Sequence, residues 1–135
     1  MTGSRTERRG HRKGKDPPSR RLARRLAEAA REKKAEELVI LDLRDLTSVT
    51  DFFVIGTVST DVHARAVSEH VVEWAEEELD ERPWHVEGAD GERPVWILMD
   101  YVDVVVHLFH PEARDYYGLE RLWGDAPSEE LGEPD

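Results

Sequence analysis

The stretch Val95–Phe109 (Val-Trp-Ile-Leu-Met-Asp-Tyr-Val-Asp-Val-Val-Val-His-Leu-Phe) constrains the fold of this chain more than any other. Two apolar runs, Val95–Met99 and Val104–Phe109, flank a polar hinge, Asp100-Tyr101-Val102-Asp103. The runs are rich in β-branched and aromatic residues and have about the five or six residues usual for a buried strand. In the second run Val104, Val106 and Leu108 alternate with Val105, His107 and Phe109, so both faces are largely apolar. A strand of that kind sits inside a sheet covered on both sides. The pattern predicts an antiparallel pair at the centre of an α/β layer. The hinge lacks the Asn-Gly or Gly-Gly of a two-residue primed turn, and Val102 resists positive φ, which predicts a longer turn of type I character. Asp100, Tyr101 and Asp103 then stand as polar groups at the rim of a rigid sheet.

The rest of the chain supplies partners for this pair. Met1–Ser19 sets Arg5, Arg8, Arg9, Arg12, Lys13 and Lys15 among glycines and prolines with no hydrophobic period, the composition of a disordered basic arm. A helix is expected from Arg20, capped by Ser19, with Leu22, Leu26, Ala29 and Ala30 as its stripe and Lys33-Lys34 suiting its negative end. Leu38–Leu43 and Asp51–Val58 read as strands, the second with Gly56 at a bulge or close approach. Ser59 or Thr60 caps a long helix with Val67, Val71, Trp74, Ala75 and Leu79 at helical spacing. Glu76-Glu77-Glu78 at its end opposes the dipole, with no benefit visible in the sequence. Pro83–Gly88 reads as a short peripheral strand and Ala89–Arg93 as a turn. Glu112–Trp123 reads as short helical turns broken at Gly118. The order predicts an α/β fold, a mixed β-sheet of about five strands flanked by helices. One domain is expected over residues 20–124, between the arm (1–19) and an acidic flexible tail (125–135).

A chain of 135 residues buries roughly two-thirds of its unfolded surface as one domain. The absence of cysteine removes disulfides and thiolate chemistry. No apolar run approaches the ~20 residues of a membrane span, and the basic N-terminus lacks the apolar core of a secretory signal. A soluble, cytoplasmic protein is the expectation. The net charge of −11 hides a division: residues 1–34 hold 13 Lys/Arg against 4 Asp/Glu, and residues 35–135 hold 6 against 26. An acidic body does not suit gripping phosphate backbone, because that affinity comes from Lys and Arg displacing counterions. It suits a basic partner, a class that includes ribosomal proteins, with solubility alone as the competing role of the acidity.

There is no phosphate-cradling Gly-rich loop and no nucleophile elbow. His63 and His70 share a helix face, and His107 and His110 lie on or just beyond a strand. Two such pairs are a conceivable zinc site, although the metalloprotease helix spacing is missing, and no metal or cofactor is expected. Asp100 and Asp103, at i, i+3 across a turn, are a carboxylate pair compatible with metal-assisted phosphoryl transfer but not specific to it, with turn shaping as their competing role. This leaves a nucleotidyltransferase-type enzyme using Asp100 and Asp103 as the alternative function. That class usually shows a Gly-Ser turn followed by a carboxylate pair at i, i+2, and Gly56-Thr57 is followed by none.

A succession of pieces carries a family resemblance: Asp42, Thr50-Asp51-Phe52-Phe53-Val54-Ile55, His70-Val71, Val86-Glu87-Gly88, Trp96–His107, and Tyr116-Tyr117-x-Leu119-Glu120-x-Leu122-Trp123. In this order, over roughly Leu22 to Ala126, the chain resembles the ribosomal silencing factor, or Iojap-like, family. Val102 departs from the small hinge residue of that pattern, and Ser59-Thr60-Asp61-Val62-His63 from its helix start. The resemblance implies a nucleotidyltransferase-like fold without catalytic activity or cofactor, commonly dimeric when free. It implies binding to the large ribosomal subunit at its protein number fourteen, on the inter-subunit face. Bound there, the protein would block joining of the small subunit and repress translation under nutrient limitation. The arm is a candidate for weak rRNA contact, with a tolerated extension as its competing reading.

Trp and Tyr anchor interfaces because they bury much area at low entropy cost. Trp96, Tyr101, Tyr116, Tyr117 and Trp123 are therefore anchor candidates, with core packing as the competing role of each. The partner-binding patch expected from the sequence is Trp96, Asp100, Tyr101, Asp103, Tyr117 and Glu120.

Overall fold

A computed structural model describes residues 17–89 and 96–132. Helix α1 (Pro18–Glu32) starts earlier than the expected Arg20, and Ser19 does not cap it. Pro17 is the N-cap and Pro18 the first helical residue, where a missing N–H goes unnoticed. The Ser19 hydroxyl instead donates to Oδ2 of the buried Asp51 at 2.9 Å. Pro18 and Ser19, counted with the arm expected over residues 1–19, belong to α1, and residues 1–16 of that arm lie outside those described. α1 lays Ala23, Leu26, Ala27 and Ala30 on the sheet, and α2 (Asp61–Leu79) packs beside it through Ala64, Val67, Val71 and Ala75. Thr60 caps α2 by accepting from the His63 N–H at 2.9 Å. At its other end Arg82 lies 3.3 Å from Glu76, a half-exposed pair that offsets part of the dipole penalty.

The sheet has six strands in the order β3-β4-β5-β2-β1-β6. They are β1 (Glu36–Asp42), β2 (Phe52–Thr57), β3 (His85–Glu87), β4 (Trp96–Asp100), β5 (Val104–Phe109) and β6 (Ser128–Glu130). Among the described residues only β2 and β5 are parallel, with Phe52 opposite Val104 and Thr57 opposite Phe109. The expectation of about five strands falls one short, because β6 comes from the segment expected to be a flexible tail. β6 pairs with Val39–Leu41, Arg24 holds Glu129 at 3.0 Å, and the Leu131 N–H donates to Leu38 O at 2.9 Å. Of the turn expected at Ala89–Arg93, only Ala89 lies among the described residues.

Alternation along the strands divides the core. Ile40, Phe52, Val54, Ile97, Met99, Val104, Val106 and Leu108 face α1 and α2. Leu41, Leu43, Ile55 and Phe109 form a second cluster on the other face. Among the described residues the cover there is α3 (Pro111–Tyr117) and α4 (Leu119–Leu122), two short helices joined at Gly118, with Trp123 and Ala126 beyond them. Each fully buried large apolar side chain contributes about 1.5–3 kcal/mol. Among the described residues one face of the sheet is therefore sealed and the other partly open.

The β4–β5 hinge corrects the expected longer turn. Tyr101 N–H donates to Val104 O at 2.8 Å, so the connection is only Val102-Asp103. Val102 takes φ +74°, and Asp103 N–H closes back on Tyr101 O at 2.9 Å, a γ-turn of the rarer, strained hand. Surrounding bonds hold it there. Asp100 Oδ1 accepts from Val102 N–H at 2.8 Å, and Asp103 O accepts from the N–H groups of Asp51 and Phe52 at 3.0 and 3.1 Å. Tertiary bonding to the start of β2 overrides the local preference of a β-branched residue.

Candidate partner-binding surface

On the partly open face, Trp96 of β4 and His107 of β5 are the organising pair. The Trp96 indole N–H donates to His107 Nδ1 at 3.0 Å. An Nδ1 that accepts leaves the imidazole proton on Nε2. Burial pushes the His107 pKa down to about 3, so the ring is neutral near pH 7.

From this pair an aromatic layer runs across the face. Trp96 lies 4.9 Å from Phe109 and 4.6 Å from Tyr117, and Tyr116 meets Tyr117 edge-on at 5.1 Å. In the other direction Phe53 meets His107 at 4.4 Å and Trp123 at 6.2 Å, both edge-on. The α3 end of the layer is open: Tyr116, Tyr117 and Leu122 are all exposed. Arg114 fastens that end to the sheet. It donates to both Glu120 oxygens at 2.9 and 3.0 Å, to Thr57 Oγ1 at 2.7 Å and to Glu37 O at 2.8 Å. The Arg114 bond holds the Glu120 carboxyl below its ordinary range against the opposing pull of burial. Gly118 makes the α3–α4 joint at φ +58°, where an added Cβ would run into the Arg121 guanidinium.

Beside the layer lies a cleft of about 340 Å³ whose floor is Phe53, Leu98, Val105, His107 and Trp123. His85, Glu87 and Asp100 stand along one side, and Thr47, Val49 and Thr50 along the other. Val49 is 82% exposed, an apolar side chain at the mouth.

The structure separates the residues expected to form one patch. Trp96 and Tyr117 touch, and Asp100 shares their face because it follows Trp96 and Leu98 on alternate positions of β4. Asp100 Oδ2 lies 3.8 Å from His85 Nδ1. Tyr101 points the other way, 5% exposed within the helix-side cluster. Burial, then the charge of Glu81, pushes its phenol up to about 12, and its hydroxyl has no partner among the described residues. Asp103 sits half-buried in the hinge, and Glu120 of α4 is engaged by Arg114 of α3. Sequence reasoning missed the cleft residues Phe53, Leu98 and Val49 and the pairing of His107 with Trp96. The signal for the pairing was β4–β5 register, which puts Leu98 opposite His107 and places Trp96 on the same face.

The four histidines considered for a metal have separate surroundings. His63 bonds Ser59 and Lys33 O, His70 bonds Glu32 at 2.7 Å, His107 bonds Trp96, and His110 lies 3.3 Å from Asp61. Among the described residues no three His, Cys, Asp or Glu groups converge as a metal site, and no helix is long and apolar enough to cross a membrane.

Comparison with known proteins gives this surface its context. The protein is 39% identical over 105 residues to the ribosomal silencing factor of Bacillus subtilis, covering 78% of this chain and 86% of that protein. A crystal structure of a Chromobacterium violaceum protein superposes with a TM-score of 0.71 at 29% identity, over 85% of this chain and 89% of that one. A crystal structure from Bacillus halodurans does so with a TM-score of 0.68 at 33% identity, over 82% and 98%. The family described as ribosomal silencing factor during starvation matches residues 16–135, and the chain belongs to that family.

Proposed function

We propose that the protein binds the large ribosomal subunit through a basic ribosomal protein at the inter-subunit face, protein number fourteen, and thereby keeps the small subunit from joining. In this reading it represses translation in the cytoplasm under nutrient limitation, needs no nucleotide, and is a homodimer when free. The observation that carries the reading is the family match over residues 16–135. The surface supports it: an acidic body, 6 Lys/Arg against 26 Asp/Glu over residues 35–135, presents exposed aromatic side chains on a stiff sheet. Little ordering entropy is lost when such a platform docks.

Trp96, Tyr117 and Asp100 are the central contacts of the proposed interface, with Asp103 and Glu120 at its margins. Tyr101 supports the hinge from the helix side. The arm adds salt-sensitive rRNA contact through counterion release. In gradient sedimentation, saturating protein is expected to travel with purified large subunits and to stop added small subunits from forming whole ribosomes, without nucleotide. Normal subunit joining under those conditions overturns the reading.

A further inference from the structure

Two buried polar atoms on the open face are left unused by the aromatic layer. His107 Nε2 and Thr50 Oγ1 have no hydrogen-bond partner among the described residues, and the two residues are 3% and 4% exposed. Both residues line the same cleft. Buried polar groups are almost always paired, so two orphans beside one apolar opening point to groups supplied from outside. With Nδ1 taken by Trp96, His107 offers Nε2–H, a donor that calls for an acceptor. The floor around it, Phe53, Leu98, Val105 and Trp123, calls for an apolar group. Carboxylates stand on one side: Glu87, 3.0 Å from His85 Nε2, and Asp100, whose Oδ1 is held by Val102 N–H.

We propose that this cleft seats one segment of the basic ribosomal protein. An aliphatic side chain rests on its floor, a backbone carbonyl accepts from His107 Nε2–H, a backbone N–H of the same segment donates to Thr50 Oγ1, and a neighbouring Lys or Arg reaches Glu87 and Asp100. The proposal rests on the function proposed above and specifies the partner's chemistry. An rRNA strand does not fit, because carboxylates at the mouth repel phosphates. A second copy does not fit either, because it would bring another strongly acidic body against the same carboxylates.

The test uses the full chain and purified large subunits. Val49→Asp alters the mouth at an exposed position that folding does not need, Thr50→Val removes the orphan hydroxyl at constant shape, and Val62→Asp on the exposed side of α2 is the control. Val49→Asp and Thr50→Val are each expected to weaken co-sedimentation by at least about tenfold, with melting unchanged or raised and Val62→Asp equal to wild type. A benzophenone photocrosslinker at position 49 is expected to mark a ribosomal-protein segment in which an aliphatic residue adjoins Lys or Arg. If wild type blocks subunit joining while both cleft variants bind normally, or the crosslink falls on rRNA or on an acidic segment, the cleft proposal is overturned and the function stands. If wild type does not travel with large subunits, the function falls and the proposal with it.

Discussion

Asp100 and Tyr101 are adjacent in sequence yet serve opposite faces of the sheet, Asp100 beside the open cleft and Tyr101 beneath α1 and α2. A strand reverses its side chains at every residue, so no rotation of either residue brings the two into one surface. Substitutions at the hinge therefore have opposite readouts.

Tyr101→Phe is the sharper of these. The Tyr101 hydroxyl is buried without a partner among the described residues, and its removal leaves the ring's packing in place. Stability in urea is expected to stay the same or rise by up to about 1 kcal/mol, with large-subunit binding untouched. A loss of more than that amount would mean the hydroxyl has a partner.

Val102→Gly relieves the φ of +74° imposed on a β-branched residue. Strain of this kind is of order 1–3 kcal/mol, and part of its relief is lost to the greater entropy of glycine in the unfolded chain. A net gain of roughly 0.5–1 kcal/mol is expected from denaturant midpoints at unchanged slope. A lower midpoint would show that the γ-turn is unstrained.

Arg114→Ala removes the side chain that ties α3 and α4 to Thr57 and Glu37 and engages Glu120. Glu120 is partly exposed, so water recovers some of the ion pair, and a loss of about 1–3 kcal/mol is expected, mainly from the unpaired β2 and β1 groups. Amide hydrogen exchange should accelerate first in residues 111–122. Uniform acceleration over the whole sheet would contradict an anchoring role.

The His107 pKa, pushed from 6.5 to about 3 by burial, makes stability depend on pH. Below 6.5 the unfolded chain takes up a proton that the folded ring refuses, so this group lowers stability as pH falls from 6.5 towards about 3. Replacing Trp96 and His107 together by Phe removes the titrating group and both ends of its hydrogen bond. Melting measured from about pH 7 down to pH 4 should fall less steeply in the double variant than in wild type. Parallel curves would show that His107 is protonated in the folded protein.

The helices and the central strand pair were legible because their periodicities, 3.6 in α2 and two in β4 and β5, are set by burial on one or both faces. β6 was not: Ser-Glu-Glu carries no alternation, and its pairing depends on the free edge of β1 and on Arg24 across the chain. The hinge was misread because hydrogen bonds from Asp51 and Phe52, distant in sequence, outweigh the turn preference of Val102. At the site, Trp96 and Tyr117 stood out as aromatic residues. Their meeting with His107 and the cleft required strand register and the placement of the loop from Leu43 to Thr50, neither of which has a local signature.

The parallel pairing of β2 with β5 has a kinetic consequence. The hairpins β1–β2 and β4–β5 close locally, but Phe52 meets Val104 only after α2 and β3 have been traversed. Such non-local pairing is slow because the loop must close before its contacts reward it. As the chain leaves the ribosome that makes it, β2 waits with one apolar edge unpaired until β5 emerges. The midline of the finished sheet is thus its last seam, and the growing chain is most prone to stick to its neighbours while that seam stands open.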